Sequence, residues 1–245
     1  IALIFFGQLF KLQIIQGEAL TEKSENNRLE TGLIVAERGI VYDRTGELVA
    51  WNELDTTGQY GFPVRAYTDR RGLGQLIGYV SYPQKDTSGF YFRTEYLGRN
   101  GIEQAYESKL HGTNGKQLME VNVHGEVISQ SSVDNAIPGG EITLSLDAEL
   151  SEVMHDLIAT TTIKNGFRSG AGAIMNVHTG EIIALTSYPS YDPEVLADGD
   201  DAQKIKEYNE DSRFPFLNKV IGGVYTPGSI VKPFVAYGAL AENII

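Results

Sequence analysis

The sequence has 245 residues, 42% of them hydrophobic, which is enough for one large or two modest domains with a real core. Its formal net charge of −12 argues against a nucleic-acid partner, because binding a phosphate backbone calls for a basic face. With no cysteine it can hold neither a disulfide nor a thiolate site, a composition compatible with a solvated extracytoplasmic protein.

Residues 1–10 are apolar except Gly7 and Gln8, and residues 11–15 continue the run with polar residues interleaved. The run is too short to cross a bilayer, which takes about 20 residues. It reads as the end of a transmembrane or juxtamembrane helix over residues 1–18; a buried soluble helix or a signal-peptide core are the alternatives. The chain starts on Ile1 and stops on Ile245, and is expected to be truncated at both ends.

Residues 21–30 are polar and charged and read as a linker or a helix end. Residues 33–51 read as a β-hairpin, with Asp43-Arg44-Thr45-Gly46 as a turn needing glycine at positive φ. Arg38, Asp43 and Arg44 are candidates for an ion-pair cluster at an inter-domain joint, or for an ordinary solvated turn. Residues 52–71 read as loop and residues 73–80 as a short helix, while residues 82–93 show no period. Residues 100–112 read as one helix, with Asn100 and Glu103 as a capping box and Ile102, Ala105, Tyr106 and Leu110 as its apolar face. Glu103 and Glu107 are expected to cap and to be solvated.

Met119, Val121 and Val123, then Ile142, Leu144 and Leu146, alternate with polar residues as half-buried strands do, and His124-Gly125 suits a hairpin turn. Pro138-Gly139-Gly140 marks a domain boundary. Asp147 caps a second helix carrying Leu150, Val153, Met154, Leu157 and Ile158, which Asn165-Gly166 stops. Residues 171–177 and 182–187 read as two buried strands of an antiparallel hairpin. Residues 189–211 form a long acidic loop in which Asp198, Asp200 and Asp201 show no metal-ligand spacing. The four histidines, His111, His124, His155 and His178, are scattered, and there is no phosphate loop, dinucleotide fingerprint or nucleophile elbow.

The stretch that carries chemistry is residues 225–234, YTPGSIVKPF. Ser229 is the only serine in the chain with a lysine three residues on, at Lys232. A helix starting at or just before Ser229 puts both side chains on one face, one turn apart. A hydroxyl is a weak nucleophile until a neighbour takes its proton. The positive end of the helix dipole, and burial, would favour a neutral lysine able to do so. Residues 234–241 read as a deeply buried apolar helix. Alone the motif is short enough to arise by chance.

Taken together the motifs are far more specific, and the chain resembles the class B penicillin-binding proteins, closest to the elongation-type, penicillin-binding-protein-2-like group. Arg38-Gly39, Asp43-Arg44-Thr45-Gly46 and Ala50 resemble a first motif, and Gly98, Gly101-Ile102-Glu103, Tyr106, Leu110 and Gly112 a later one. Pro138-Gly139, Leu144, Asp147, residues 179–182 (TGEI) and residues 188–193 (YPSYDP) resemble the entry to the transpeptidase domain. Leu217-Asn218 and residues 227–234 (PGSIVKPF) resemble its active-site approach, with Ile230-Val231 where Thr-Phe is frequent.

The resemblance implies an α+β protein. A membrane-helix end (1–18) leads to a β-rich pedestal module (19–137), then to the N-terminal part of a transpeptidase domain (138–245), an antiparallel sheet with packed helices. It implies a single-pass inner-membrane protein facing the periplasm. Ser229 is the implied nucleophile toward D-Ala-D-Ala stem peptides of peptidoglycan, with Lys232 as proton acceptor and the Ser229 N–H as half of an oxyanion hole. β-Lactams are the implied inhibitors, and a SEDS-family glycosyltransferase with other cell-wall elongation proteins the implied partners. No metal or organic cofactor is implied. No S-x-N or K-T-G follows Ser229, so this chain by itself is expected to be inactive and poorly folded after about Pro138. The short stretch between the first motif and Arg65 implies a reduced pedestal head. The rival readings are a catalytically inactive penicillin-binding scaffold or sensor, a serine β-lactamase, and a non-enzymatic interaction module.

Overall fold

The computed structural model describes residues 2–18, 29–87, 91–121 and 127–245. Most of the expected linker at residues 21–30, and the expected His124-Gly125 turn with Val123, lie outside the described residues. The chain opens with helix α1 (Ala2–Phe10), extended by a π-helical turn over Lys11–Ile15. Phe5, Phe6, Leu9 and Phe10 are all exposed. Among the described residues no helix is long and apolar enough to cross a membrane, so the membrane expectation rests on the apolar pattern of residues 1–15 and on the family resemblance.

Strand β1 (Leu29–Ile34) pairs antiparallel with β9 (Gly115–Val121), which pairs with β10 (Val127–Asp134). The expected hairpin is narrower than its sequence pattern: β2 (Val41–Tyr42) and β3 (Leu48–Glu53) flank the Asp43 turn, with Gly46 at φ 90°. Strand β4 (Val64–Tyr67) pairs with β3, and β11 (Ile142–Thr143) adds parallel to β2, giving the order β11-β2-β3-β4. Helix α2 (Gly74–Ile77) and β5 (Tyr79–Ser81) fill the short apolar stretch expected to be helical throughout. Strands β6 (Gln84–Lys85) and β7 (Tyr91–Arg93) pair with each other, and β8 (Leu97–Arg99) pairs with β5.

The single helix expected over residues 100–112 is two, α3 (Gly101–Ala105) and α4 (Glu107–Leu110), broken at Tyr106. Asn100 does not cap: it sits at φ 59° and its side chain makes no cap bond. Glu103 is not solvated either. It is fully buried, and its carboxylate takes Arg38 Nε at 2.5 Å and Arg65 Nε at 2.8 Å. Glu107 takes Arg38 Nη2 at 2.6 Å and the Gly98 N–H at 2.9 Å. Burial works against the Arg38 charge, but Glu103 and Glu107 outweigh it and hold the guanidinium above its ordinary range.

Arg38 and Asp43 therefore do not form one ion-pair cluster. Asp43 accepts from Thr45 N, Thr45 Oγ1 and Glu47 N inside its own turn, while its other oxygen accepts from Ala148 N at 3.1 Å. Arg44 N donates to Leu146 O. Hydrogen bonds, not ion pairs, tie the 43–47 turn to residues 146–148.

Helix α5 (Ala148–Lys164) starts as expected, with Asp147 Oδ1 accepting from Leu150 N, and ends before Gly166 at φ 66°. Its buried residues are Ala148, Ser151, His155 and Thr162, whereas Val153 and Leu157 of the expected apolar face are exposed. Strands β12 (Gly170–Met175) and β13 (Ile182–Tyr188) form the expected hairpin. Only β13 is well buried; Met175 on β12 is more than half exposed. Residues 189–211 carry two helices in place of loop, α6 (Pro193–Asp198) and α7 (Ala202–Glu210), capped by Asp192 and Asp201.

One contiguous apolar core runs through both parts of the chain, joining Val49, Leu73 and Leu110 to Leu146, Ala148 and Leu185. Close approach explains Gly39 and Gly139. A Cβ on either would run into backbone, of Gly140 and Leu110 respectively, so only glycine fits.

Candidate active site

Ser229 lies in a 3₁₀ turn, Gly228–Val231, and Lys232 opens α8 (Lys232–Ala241), with Pro233 in its first turn. The Lys232 N–H donates to the Ser229 carbonyl and closes the turn. In a 3₁₀ turn residues i and i+3 eclipse, so the two side chains leave on the same side. Proline is tolerated here because the first helical N–H groups have no intrahelical acceptor. Both residues are exposed, and among the described residues neither side chain has a hydrogen bond or an ion pair.

The deeply buried helix expected after Lys232 is not found. Phe234 is 79% exposed, Tyr237 76% and Leu240 60%, and among the described helices and strands only the 3₁₀ turn packs closely on α8. The apolar pattern marks residues that need cover, and among the described residues nothing buries them.

The segment leading to Ser229 is better held. Lys219 is buried; its Nζ donates to Phe214 O at 2.9 Å and its N–H to Ser187 Oγ at 3.0 Å. Burial pushes the Lys219 ammonium below the ordinary lysine range. Phe214 itself sits at φ 56°. From the N-terminal side, Gln75 on α2 donates to both Pro189 O (2.9 Å) and Pro215 O (2.6 Å), and accepts from Ser190 Oγ (2.8 Å). A cavity of about 470 Å³ beside this segment is lined by residues 169–173 together with Lys219, Val220 and Tyr225. Another, of about 330 Å³, lies where residues 68–74 face His155 and residues 188–194, and none of the candidate residues lines it.

Sequence reasoning missed Gln75, Ser187 and Lys219. Each is a single polar residue without periodic neighbours, so no local signal marks it. Asp198, singled out for its acidic neighbours, accepts from the Tyr82 hydroxyl at 3.3 Å, and burial raises its carboxyl above the usual range. Among the described residues no three His, Asp or Glu side chains form a metal-binding group. His155 packs on Tyr188, and His111 lies 3.3 Å from Glu95.

Two family models match this chain. Residues 62–144 match the penicillin-binding protein dimerisation domain, and residues 170–245 match the penicillin-binding protein transpeptidase domain. The chain belongs to the penicillin-binding proteins. The combination of the two modules agrees with the class B resemblance of the sequence. Peptidoglycan D,D-transpeptidase MrdA of Escherichia coli K12 is 29% identical over 320 residues, covering 99% of this chain and 49% of the relative. The chain thus spans about half the length of that relative. The alignment occupies 320 positions against 245 residues here. Among solved structures, PBP2 of Pseudomonas aeruginosa in complex with WCK 5153 is 30% identical, with a TM-score of 0.66 over 88% of this chain and 43% of that one. A chain of a peptidoglycan synthase complex that coordinates polymerization and crosslinking is 25% identical, with a TM-score of 0.67 over all of this chain and 54% of that one.

Proposed function

We propose that this chain carries the nucleophile of a peptidoglycan D,D-transpeptidase. The observation that carries the reading is the placement of Ser229 and Lys232 at i and i+3 of a turn opening α8, inside the stretch matched to a transpeptidase domain. Lys232 takes the Ser229 hydroxyl proton as Oγ attacks the penultimate D-alanine carbonyl of a stem peptide. The C–N bond to the terminal D-alanine breaks, the leaving amine takes a proton, and an ester joins Ser229 to the donor peptide. The amine of a second stem peptide then displaces Ser229 and forms the cross-link. Backbone N–H groups, that of Ser229 among them, stabilise the oxyanion. β-Lactams acylate the same oxygen.

In this reading residues 1–18 end a membrane anchor, residues 19–137 are the pedestal and residues 138–245 begin the transpeptidase domain, facing the periplasm from a single-pass inner-membrane anchor. The partners are cell-wall elongation proteins, including a glycan-polymerising SEDS-family enzyme; the similarity to a synthase complex that couples polymerization to crosslinking supports this.

The test is labelling of the complete gene product with fluorescent penicillin. Wild type is expected to label stably and Ser229→Ala not at all, with Lys232→Met slower by at least ~100-fold, the usual range of a lost general base. Label that persists in Ser229→Ala rules the assignment out. Rapid hydrolysis of penicillin would favour a β-lactamase, no label with normal folding the interaction module, and stable label without cross-linking the inactive scaffold.

A further inference from the structure

Among the described residues the Ser229 side chain has no partner, so its position depends on the main chain that delivers it. That chain runs from the 214–219 turn past Tyr225. Lys219, 4% exposed, closes the turn. Its Nζ bonds the carbonyl of Phe214, which also accepts the Leu217 N–H at 3.1 Å. Phe214 is held in the left-handed region, where a residue other than glycine is strained, and the two bonds to its carbonyl fix it there. The Lys219 N–H bonds Ser187 Oγ, and Ser187 is a buried β13 residue paired with Ala171 of β12. The downstream side is equally tight: a Cβ on Gly223 would strike both the Lys219 carbonyl and the Tyr225 ring.

We propose that Lys219 is a positioning residue for Ser229, fixing the 214–219 turn on β13 and so setting where residues 225–232 leave the sheet. The inference rests on the transpeptidase reading above. The competing account is that Lys219 only stabilises the fold. A methionine would fill the same space without a buried cation to desolvate, so an ammonium is poorly suited to packing alone. What lysine supplies, and methionine does not, is an N–H aimed at the Phe214 carbonyl.

The experiment uses the complete gene product and measures the second-order rate of acylation by fluorescent penicillin alongside the melting temperature. Lys219→Met is expected to fold and still label Ser229, but ~10- to 100-fold more slowly, the scale of a small misplacement of a reacting group. Lys219→Arg, which keeps a donor, is expected to recover most of that rate. A wild-type rate in folded Lys219→Met overturns the proposal, and so does a loss of rate in folded Lys219→Arg equal to that in Lys219→Met. If Lys219→Met does not fold, Ser187→Ala carries the test, with slowed acylation expected and an unchanged rate overturning. Failure of the wild type to label at Ser229 would instead overturn the transpeptidase reading itself.

Discussion

Arg38 and Glu103, 65 positions apart in sequence, meet as a fully buried ion pair, and Arg65 reaches the other oxygen of the same carboxylate. The three residues hold the hairpin, β4 and α3 together inside the N-terminal module. Removing one member of a buried pair leaves the others charged and unpaired, at a cost of about 3–5 kcal/mol. Glu103→Ala takes the shared carboxylate from Arg65 and leaves Arg38 with Glu107 alone, and is expected to lower the melting temperature of the complete protein sharply. Glu107→Ala, whose carboxylate is part-exposed, is expected to cost clearly less; equal effects would contradict the arrangement.

Asp43 predicts a pH dependence. Burial opposes its charge, but hydrogen bonds from Thr45, Ala148 and Glu47 together hold its carboxyl below the usual carboxylate range. Its folded value lies below the unfolded value of about 3.9, so its stabilisation is complete above that pH and fades as pH falls through the folded value. Asp43→Asn is expected to cost about 1–3 kcal/mol at neutral pH. That gap to wild type should narrow below about pH 4. A gap independent of pH in denaturant titrations would refute the role of the charge.

Gln75 joins the N-terminal module to the segment before Ser229 by donating to two carbonyls through one nitrogen. Gln75→Ala leaves both carbonyls unpaired and is expected to cost about 1–3 kcal/mol. Gln75→Glu is expected to be worse, since it sets a buried carboxylate against two acceptors. Thermal unfolding of both variants checks the order.

The exposed apolar faces of α5, β12 and α8 predict the behaviour of the 245 residues expressed alone. They are expected to bind a hydrophobic dye and to give no stable penicillin adduct, because no S-x-N or K-T-G follows Ser229. A stable adduct on this chain would contradict that expectation.

How much of this was legible depended on distance along the chain. Asp147 was read correctly as a cap because its partner, the Leu150 N–H, is three residues away. The Asp43 turn and the β12–β13 hairpin were legible for the same reason. Glu103 was misread as solvated because its partners lie 65 and 38 residues off, and a charge in an amphipathic stretch looks like surface until they are known. The break at Tyr106 leaves no local pattern, whereas the two helices in residues 189–211 do carry local signals, the caps Asp192 and Asp201, which acidic composition makes look like loop. For α8 the helix was legible but its burial was not, because an apolar pattern alone cannot say what covers it. At the candidate site, Ser229 and Lys232 were legible from spacing, while Lys219 and Gln75 act through single long-range contacts that leave no pattern.

The most direct test of the central claim is peptide mapping of the penicillin adduct by mass spectrometry on the complete gene product. The account predicts one penicilloyl group, on the peptide containing Ser229 and attached to that serine. An adduct on any other residue, with Ser229 unmodified, would contradict it.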